Sequence, residues 1–311
     1  MNSNLAFVFP GQGSQKIGML AELAAANPLV EETFKEASEV LGYDAWKLIQ
    51  EGEQEDINLT ERTQPLLLTS SVAIWRLWQQ QGGPQPAAMA GHSLGEWSAL
   101  VCAGVVKFAD AVEIVRARGA FMQQAVPVGV GAMAAIMGIE DQIVIDACAE
   151  AAEDQIATAV NFNAPGQVVI AGDAAAVARA VDICKKAGAK RAVELPVSAP
   201  FHTSLMRPAA DNLAELVAQK EFSAPQIPVL HNIHAQPEAD PEAIKRLMLE
   251  QIYQPVLWVD CVNGLSSRGA EILIECGPGR VLNGLSKRID RGLTSLATDD
   301  VASLENALTS V

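Results

Sequence analysis

A short apolar run, Ala87-Ala88-Met89-Ala90, passes directly into Gly91-His92-Ser93-Leu94-Gly95 and then into residues that read as the start of a helix. Few folds accommodate that succession. A chain that turns from strand to helix so sharply fits only glycine at the two flanks of the turn. It throws the intervening serine oxygen clear of the backbone, at a helix N-terminus. Ser93 is therefore the first candidate for chemistry. The short Gly-x-Ser-x-Gly pattern also arises by chance, so the rest of the chain has to supply what a nucleophile needs.

Leu5-Ala6-Phe7-Val8-Phe9 is an unbroken apolar run of strand length, ended by Pro10-Gly11-Gln12-Gly13-Ser14-Gln15, and reads as a buried first strand with a tight loop after it. The loop is no dinucleotide fingerprint, because Lys16 stands where the third glycine belongs. It is no P-loop either, because Gly-Lys-Ser/Thr is missing. Its backbone N–H groups are left to serve something smaller. A helical pattern runs from Thr60, as its cap, to Gln81, and the helix after the elbow closes at Gly104. Asp110 and Glu113 form a capping box that opens a further helix from Ala111 to about Ala125.

In that last helix Ala111, Ile114, Val115, Phe121, Met122 and Ala125 recur at helical steps, and Arg118 falls in the middle of the same apolar stripe while Arg116 points away. An arginine on a core-facing stripe cannot shed its charge. It snorkels out along its stem, pairs with a structural carboxylate, or holds a ligand.

Residues 128–198 read as a unit of their own: strand 132–137, helix 141–152, strand 156–162, a turn at Ala164-Pro165-Gly166, strand 167–171, a helix capped by Asp173 and closed by Gly188, and strand 191–195. This β-α-β-β-α-β succession is the ferredoxin-like order. Lys185 and Lys186 end its second helix, with Lys190 and Arg191 just beyond; the cluster either complements the helix dipole or forms a docking patch. Afterwards the β/α alternation resumes, with a strand at 227–233, helices at 241–253 and 256–267, a strand at 271–276 and a final helix, strand and helix. The expected class is α/β, with a discontinuous larger domain from 1–127 and 199–311 and the smaller unit, 128–198, set against it.

Composition narrows the function. With 311 residues, 50% of them hydrophobic, the chain can bury one large core plus a smaller domain. A formal net charge of -15 argues against nucleic acid as a partner. No apolar run reaches the roughly 18 residues of a membrane span, and the start Met1-Asn2-Ser3-Asn4 has no basic n-region, so a cytoplasmic chain without membrane contacts is expected. The scattered cysteines, Cys102, Cys148, Cys184, Cys261 and Cys276, fit reduced, mostly buried thiols.

A serine hydroxyl needs a base within hydrogen-bond reach. His92 adjoins Ser93 and should leave the turn in another direction; His231 and His234 end a predicted strand and have no metal-ligand spacing. His202 remains, in a loop that Pro200 stiffens, directly before a helix. By elimination it is the base if Ser93 is the nucleophile. No motif between the two supplies the acid that a hydrolase triad places there, so either a backbone carbonyl fixes the imidazole or the acid is hidden.

Taken together, Phe9-Pro10-Gly11-Gln12-Gly13-Ser14-Gln15, Thr63-Gln64-Pro65, Gly91-His92-Ser93-Leu94-Gly95-Glu96, Arg118-Gly119, Met122-Gln123, Gly131-Ala132-Met133-Ala134-Ala135, the run from Asn163 to Gly172, Ala199-Pro200-Phe201-His202 and Glu275-Cys276-Gly277-Pro278-Gly279 resemble the malonyl-CoA:acyl-carrier-protein transacylases of fatty-acid synthesis. The likeness spans nearly the whole chain. It implies a hydrolase-like core with a parallel sheet and an inserted ferredoxin-like (βαββαβ) subdomain. It implies further that Ser93 is acylated, that His202 is its base, that Arg118 partners the malonyl carboxylate and that the backbone N–H groups of Gln12 and Leu94 form the oxyanion hole. The main-chain carbonyl of Gln251 stands in for the missing acid. Phe201 is the form associated with malonyl rather than methylmalonyl groups, and Trp97 replaces a more usual tyrosine.

The resemblance also implies a coenzyme A thioester and the phosphopantetheine of an acyl carrier protein as substrates, with no permanently bound cofactor or metal, on a monomer. Because the carrier is acidic, it needs a local basic landing patch, at Lys185, Lys186, Lys190 and Arg191 or at Arg280, Lys287 and Arg288. The rivals are the same transfer in polyketide synthesis, a serine thioesterase, and a non-catalytic scaffold.

Overall fold

The computed structural model describes residues 2–197 and 199–311. Asn2–Phe9 forms strand β1, and from Leu5 to Phe9 it has no solvent exposure, as a strand covered on both faces requires. Beside it lie Pro86–Gly91 (β2), Val229–Leu230 (β7), Ile272–Glu275 (β8) and Thr294–Ala297 (β9), in the order β7-β2-β1-β8-β9 with every pairing parallel. The chain adds β2 and β7 on one side of β1, then crosses to add β8 and β9 on the other. The order reverses beside β1, and the carboxyl ends of the strands at such a reversal are where open α/β sheets gather ligands. Phe9 pairs with Gly91, so the loop from Pro10 and the serine turn leave the sheet side by side. Beneath them the Phe7 ring meets Trp75 and Trp78 of the helix Thr60–Gln80 edge-on, at 5.2 and 5.1 Å between centroids.

The second sheet is antiparallel throughout: Gly131–Met137 (β3), Ala157–Ala164 (β4), Gln167–Asp173 (β5) and Arg191–Glu194 (β6), in the order β4-β5-β3-β6. This is the ferredoxin-like arrangement. Alternation along β3 divides its side chains between two cores. Ala132, Ala134 and Ile136 pack with residues of the helices Asp141–Ala152 and Ala174–Lys186, whereas Met133 and Ala135 join the main core. Main chain also ties the two sheets' territories together, since Phe162 N–H donates to the Val256 carbonyl (3.0 Å) and Val256 N–H to that of Val160 (2.8 Å). We propose 128–198 as an inserted unit and 1–127 with 199–311 as the core around it, because sheet membership changes between β2 and β3 and again between β6 and β7. Ser198, at the second boundary, lies outside the described residues.

Several local expectations are corrected. The helix around Arg118 runs Phe108–Gln124 with Lys107 at its cap, so Asp110 and Glu113 do not box its start; both pair with Lys220 instead, at 3.0 and 2.6 Å. Thr60 lies inside its helix, with Leu59 at the cap, and its hydroxyl reaches Gln123 Oε1 (3.2 Å). Asp173 does occupy the cap of its helix, but its carboxylate accepts from Ile156 N–H (2.7 Å) across the sheet. The strand expected at 227–233 shrinks to Val229–Leu230, because His231 and Asn232 turn their polar groups to Glu96. Four helices, Ala21–Ala26, Leu29–Leu41, Ala45–Glu51 and Gln54–Ile57, fill the stretch before Thr60. Among the described residues no helix is long and apolar enough to cross a membrane.

Candidate active site

The serine turn is set by contact. A methyl group on Gly91 would overlap the backbone of Gly95, and one on Gly95 the carbonyl of Phe9 at the end of β1. One on Gly11 would lie 2.5 Å from the His92 carbonyl oxygen, which presses the Pro10–Gly13 loop against the turn. Ser93 itself sits at φ 51, ψ -107, a region that costs about 1–3 kcal/mol for a residue with a Cβ. Its backbone is clamped at both ends. Ser93 N–H donates to Asn232 Oδ1 (2.8 Å), the Gln251 side-chain amide donates to the Ser93 carbonyl (2.8 Å), and Asn232 Nδ2 donates to the Gly91 carbonyl (2.6 Å). The residue is half-buried and so remains within reach of a substrate.

His202 arrives from the loop that ends the smaller unit, also with a left-handed backbone (φ 63), and the Thr203 hydroxyl braces that loop by donating to the Pro200 carbonyl (2.8 Å). Its Nδ1–H donates to the main-chain carbonyl of Gln251 (2.8 Å). That bond fixes the tautomer and leaves the Nε2 lone pair to accept the Ser93 hydroxyl at 2.8 Å. Burial, and after it the nearby Arg118 charge, push the imidazole down to about 3, so the ring stays neutral at ordinary pH, as a proton acceptor must.

Arg118 does not snorkel, and among the described residues it finds no carboxylate within hydrogen-bond reach. It has no solvent exposure; Nη1 donates to Gln64 Oε1 (2.8 Å), and Nη2 to Gln251 Oε1 (3.0 Å) and Ser93 Oγ (3.3 Å). Nε is buried without a partner among the described residues. Burial pulls the guanidinium down to about 10 while Glu96 pulls it back up, so it stays charged at neutral pH. Nε and Nη2 share one edge of the plane, and that edge, with Nη2 reaching the serine oxygen and Nε unpartnered, is the geometry that can take the two oxygens of a carboxylate.

Ser93, His202, Arg118 and Gln251 thus form one hydrogen-bonded group, although Ser93 and His202 stand 109 residues apart and Ser93 and Gln251 158. Gln12 is exposed and connects more loosely, accepting from Gln64 Nε2 at 3.5 Å. Leu94 is buried as the first residue of its helix, where a backbone N–H has no carbonyl of the same helix to serve. Lys185, Lys186, Lys190 and Arg191 are exposed on the smaller unit and take no part in this group; Lys185 lies 3.9 Å from Asp182. Of the other basic set, Arg280 is engaged by Asp299 (3.0 Å) and Asp300 (2.8 Å).

Sequence reasoning overlooked a second ring of residues. Glu96, 1% exposed, meets His231 Nδ1 on one oxygen (2.6 Å) and both Asn232 N–H (3.0 Å) and Gln251 Nε2 (2.8 Å) on the other. Asn232 gives no local signal, because its bond to Ser93 spans 139 residues. Glu96 had one, as an acid inside an otherwise apolar helix that carries Trp97 and Leu100. His92 turns toward the smaller unit, its Nε2 lying 2.7 Å from Asn163 Oδ1.

The geometry can be set beside known proteins. The family model described as "Acyl transferase domain" matches residues 6–302. The malonyl CoA-acyl carrier protein transacylase of Salmonella typhimurium is 58% identical over 307 residues, which cover 99% of this chain and 99% of that protein. The protein of the same name from Escherichia coli K12 is 56% identical over 306 residues, 98% of this chain and 99% of its own. Among solved structures, an acyl carrier protein S-malonyltransferase from Vibrio cholerae superposes with a TM-score of 0.96 at 58% identity, over 98% of this chain and 99% of that one. A malonyl-transacylase in complex with a type II polyketide-synthase acyl-carrier protein gives 0.98 at 54% identity, over 99% and 100%.

Proposed function

Because the chain belongs to the acyl transferase domain family, we propose that it moves a malonyl group from coenzyme A to the phosphopantetheine thiol of an acyl carrier protein, by way of a malonyl ester on Ser93. The observation that carries this reading is the buried guanidinium of Arg118, charged, hydrogen-bonded to no carboxylate among the described residues and 3.3 Å from the serine oxygen. A malonyl ester on Oγ holds its own carboxylate one methylene beyond the ester carbonyl, within reach of that edge.

His202 Nε2 takes the hydroxyl proton as Ser93 Oγ attacks the thioester carbonyl. The tetrahedral oxyanion is held by the backbone N–H groups of Gln12 and Leu94, and losing one such donor costs about a hundred- to thousandfold. Collapse breaks the C–S bond, and His202 returns its proton to the departing thiolate of coenzyme A. In the second half His202 deprotonates the carrier thiol, which attacks the serine ester, and the proton ends on Ser93 Oγ. The Gln251 carbonyl steadies the imidazolium in both halves without itself accepting the proton. Every group comes from one chain, and a monomer is the working unit.

Incubation with malonyl-CoA alone, followed by intact-mass analysis and peptide mapping, is expected to show a malonyl adduct on Ser93 that disappears onto added holo carrier protein. Free malonate released without carrier would instead make the protein a thioesterase, and no adduct at all would make it a scaffold. The relative bound to a polyketide carrier favours a second reading, the same transfer serving polyketide synthesis. Comparing the rates with the two kinds of carrier decides between them.

The exposed set Lys185, Lys186, Lys190 and Arg191 is the better landing patch, since Arg280 is already neutralised by Asp299 and Asp300. Reversing the charge at Lys190 and Arg191 is expected to raise KM for carrier protein about tenfold and leave that for malonyl-CoA unchanged; steady-state assays varying each substrate in turn read both.

A further inference from the structure

We propose that Glu96, buried beneath the reaction centre, is a positioning residue that sets malonyl selection by dictating which way the Gln251 side-chain amide points. The proposal rests on the malonyl-transfer reading and deepens it.

The chemistry is that of donors and acceptors. Three nitrogens converge on the two oxygens of Glu96: His231 Nδ1 on one, and Asn232 N–H and Gln251 Nε2 on the other, which the backbone proton of Asn232 marks as an acceptor. The amide of Gln251 therefore has to face Glu96 with its NH2 group, a choice that Asn232 Oδ1 (3.3 Å) and the Ser93 carbonyl (2.8 Å) reinforce, since both also accept from Nε2. With NH2 committed, Oε1 is left facing Arg118 and receives Nη2 at 3.0 Å. The guanidinium is thereby held with Nη2 at 3.3 Å from Ser93 Oγ, while Gln64 takes Nη1 on the other side. Were the amide reversed, its NH2 would meet the guanidinium donor against donor, and Arg118 would shift from the place where a malonyl carboxylate needs it. Glu96 makes no hydrogen bond to Arg118: its charge helps keep the guanidinium protonated from a distance, and its hold on the guanidinium's placement runs through Gln251.

Glu96→Met tests this at similar volume. Methionine at 96 offers no oxygen to Gln251 Nε2, whichever ring nitrogen of His231 carries the proton. Serine acylation is measured by rapid-quench intact mass with malonyl-CoA and with acetyl-CoA, and the burst amplitude gives the fraction of competent enzyme. The expected result is an unchanged burst fraction, a kcat/KM for malonyl-CoA lower by about a hundredfold, the usual scale for a misplaced binding group, and a malonyl-over-acetyl preference reduced at least about tenfold. A merely structural Glu96 would lower the competent fraction, or slow both acyl groups equally, and leave the ratio alone; an unchanged ratio overturns the proposal. Gln251→Met cuts the same relay at its other end while keeping the main-chain carbonyl for His202 and the charge of Glu96, so it stands should Glu96→Met fail to fold, and again the ratio must fall. A wild-type protein that forms no malonyl adduct overturns the transfer reading and this proposal with it. An active wild type with an unaltered ratio in the variants overturns this proposal alone.

Discussion

Replacing His202 with asparagine is expected to slow acylation of Ser93 by malonyl-CoA about ten-thousandfold, the upper range of what a positioned general base supplies. Asparagine is chosen because the residue has φ 63, a conformation that asparagine adopts more readily than alanine, so the loop should keep its shape while losing its base. Single-turnover acylation followed by mass measures the effect, and a loss of less than tenfold would remove His202 from the mechanism. The pH dependence follows from the same environment. With the imidazole pushed down to about 3 by burial and by Arg118, it stays neutral, and acylation should show no limb from this group between about pH 5 and 8. Stability follows the sign of the shift. Below the ordinary histidine value of about 6.5 the unfolded chain takes up a proton that the native site refuses. The contribution is therefore whole above that pH and lost progressively as the pH falls toward the depressed value.

Arg118→Met is expected to cost malonyl transfer about a thousandfold, as when one partner of a desolvated charge pair is removed, while acetyl transfer is kept or rises. The methionine retains much of the stem's packing and deletes only the charge. For an acetyl group the wild-type guanidinium is a liability, because it remains buried and charged with Nε unpartnered among the described residues; a malonyl carboxylate is expected to fill that place. Parallel kcat/KM measurements with the two thioesters decide the matter, and an equal loss for both would deny Arg118 its carboxylate.

The parts of this molecule that were legible in the sequence are those with a period or a steric demand. The apolar run of β1, the alternating strands of the smaller unit and the glycines around Ser93 each carry a local rule, and Arg118 betrayed itself by lying on an apolar stripe. Where the rule was local but satisfied elsewhere, the reading slipped. Asp110 and Glu113 have the spacing of a capping box, yet Lys220, more than a hundred residues away in sequence, takes both carboxylates. The helices Ala21–Ala26, Ala45–Glu51 and Gln54–Ile57, of 6, 7 and 4 residues, are too short to establish a 3.6-residue repeat. The orienting of His202 by a carbonyl was open to resemblance but not to residue chemistry, because every residue has a carbonyl. Glu96 announced itself as an acid in an apolar helix, but its partners His231 and Asn232 lie 135 and 136 residues on, and only folding brings them to it.

The crossing of the chain from β7 back to β8 also governs how the protein comes into being. β1 is made first and is apolar on both faces, but its partner on one side, paired Leu5 to Ile272, is synthesised near the end. A nascent chain therefore holds the main sheet open along β1 while the smaller unit, whose strands are all near neighbours in sequence, can already close. Such an unpaired apolar edge invites wrong partners and slow, non-local closure. Gln251 likewise follows both Ser93 and His202 in the chain, so the hydrogen bond from the imidazole to its carbonyl forms only after most of the protein has been made.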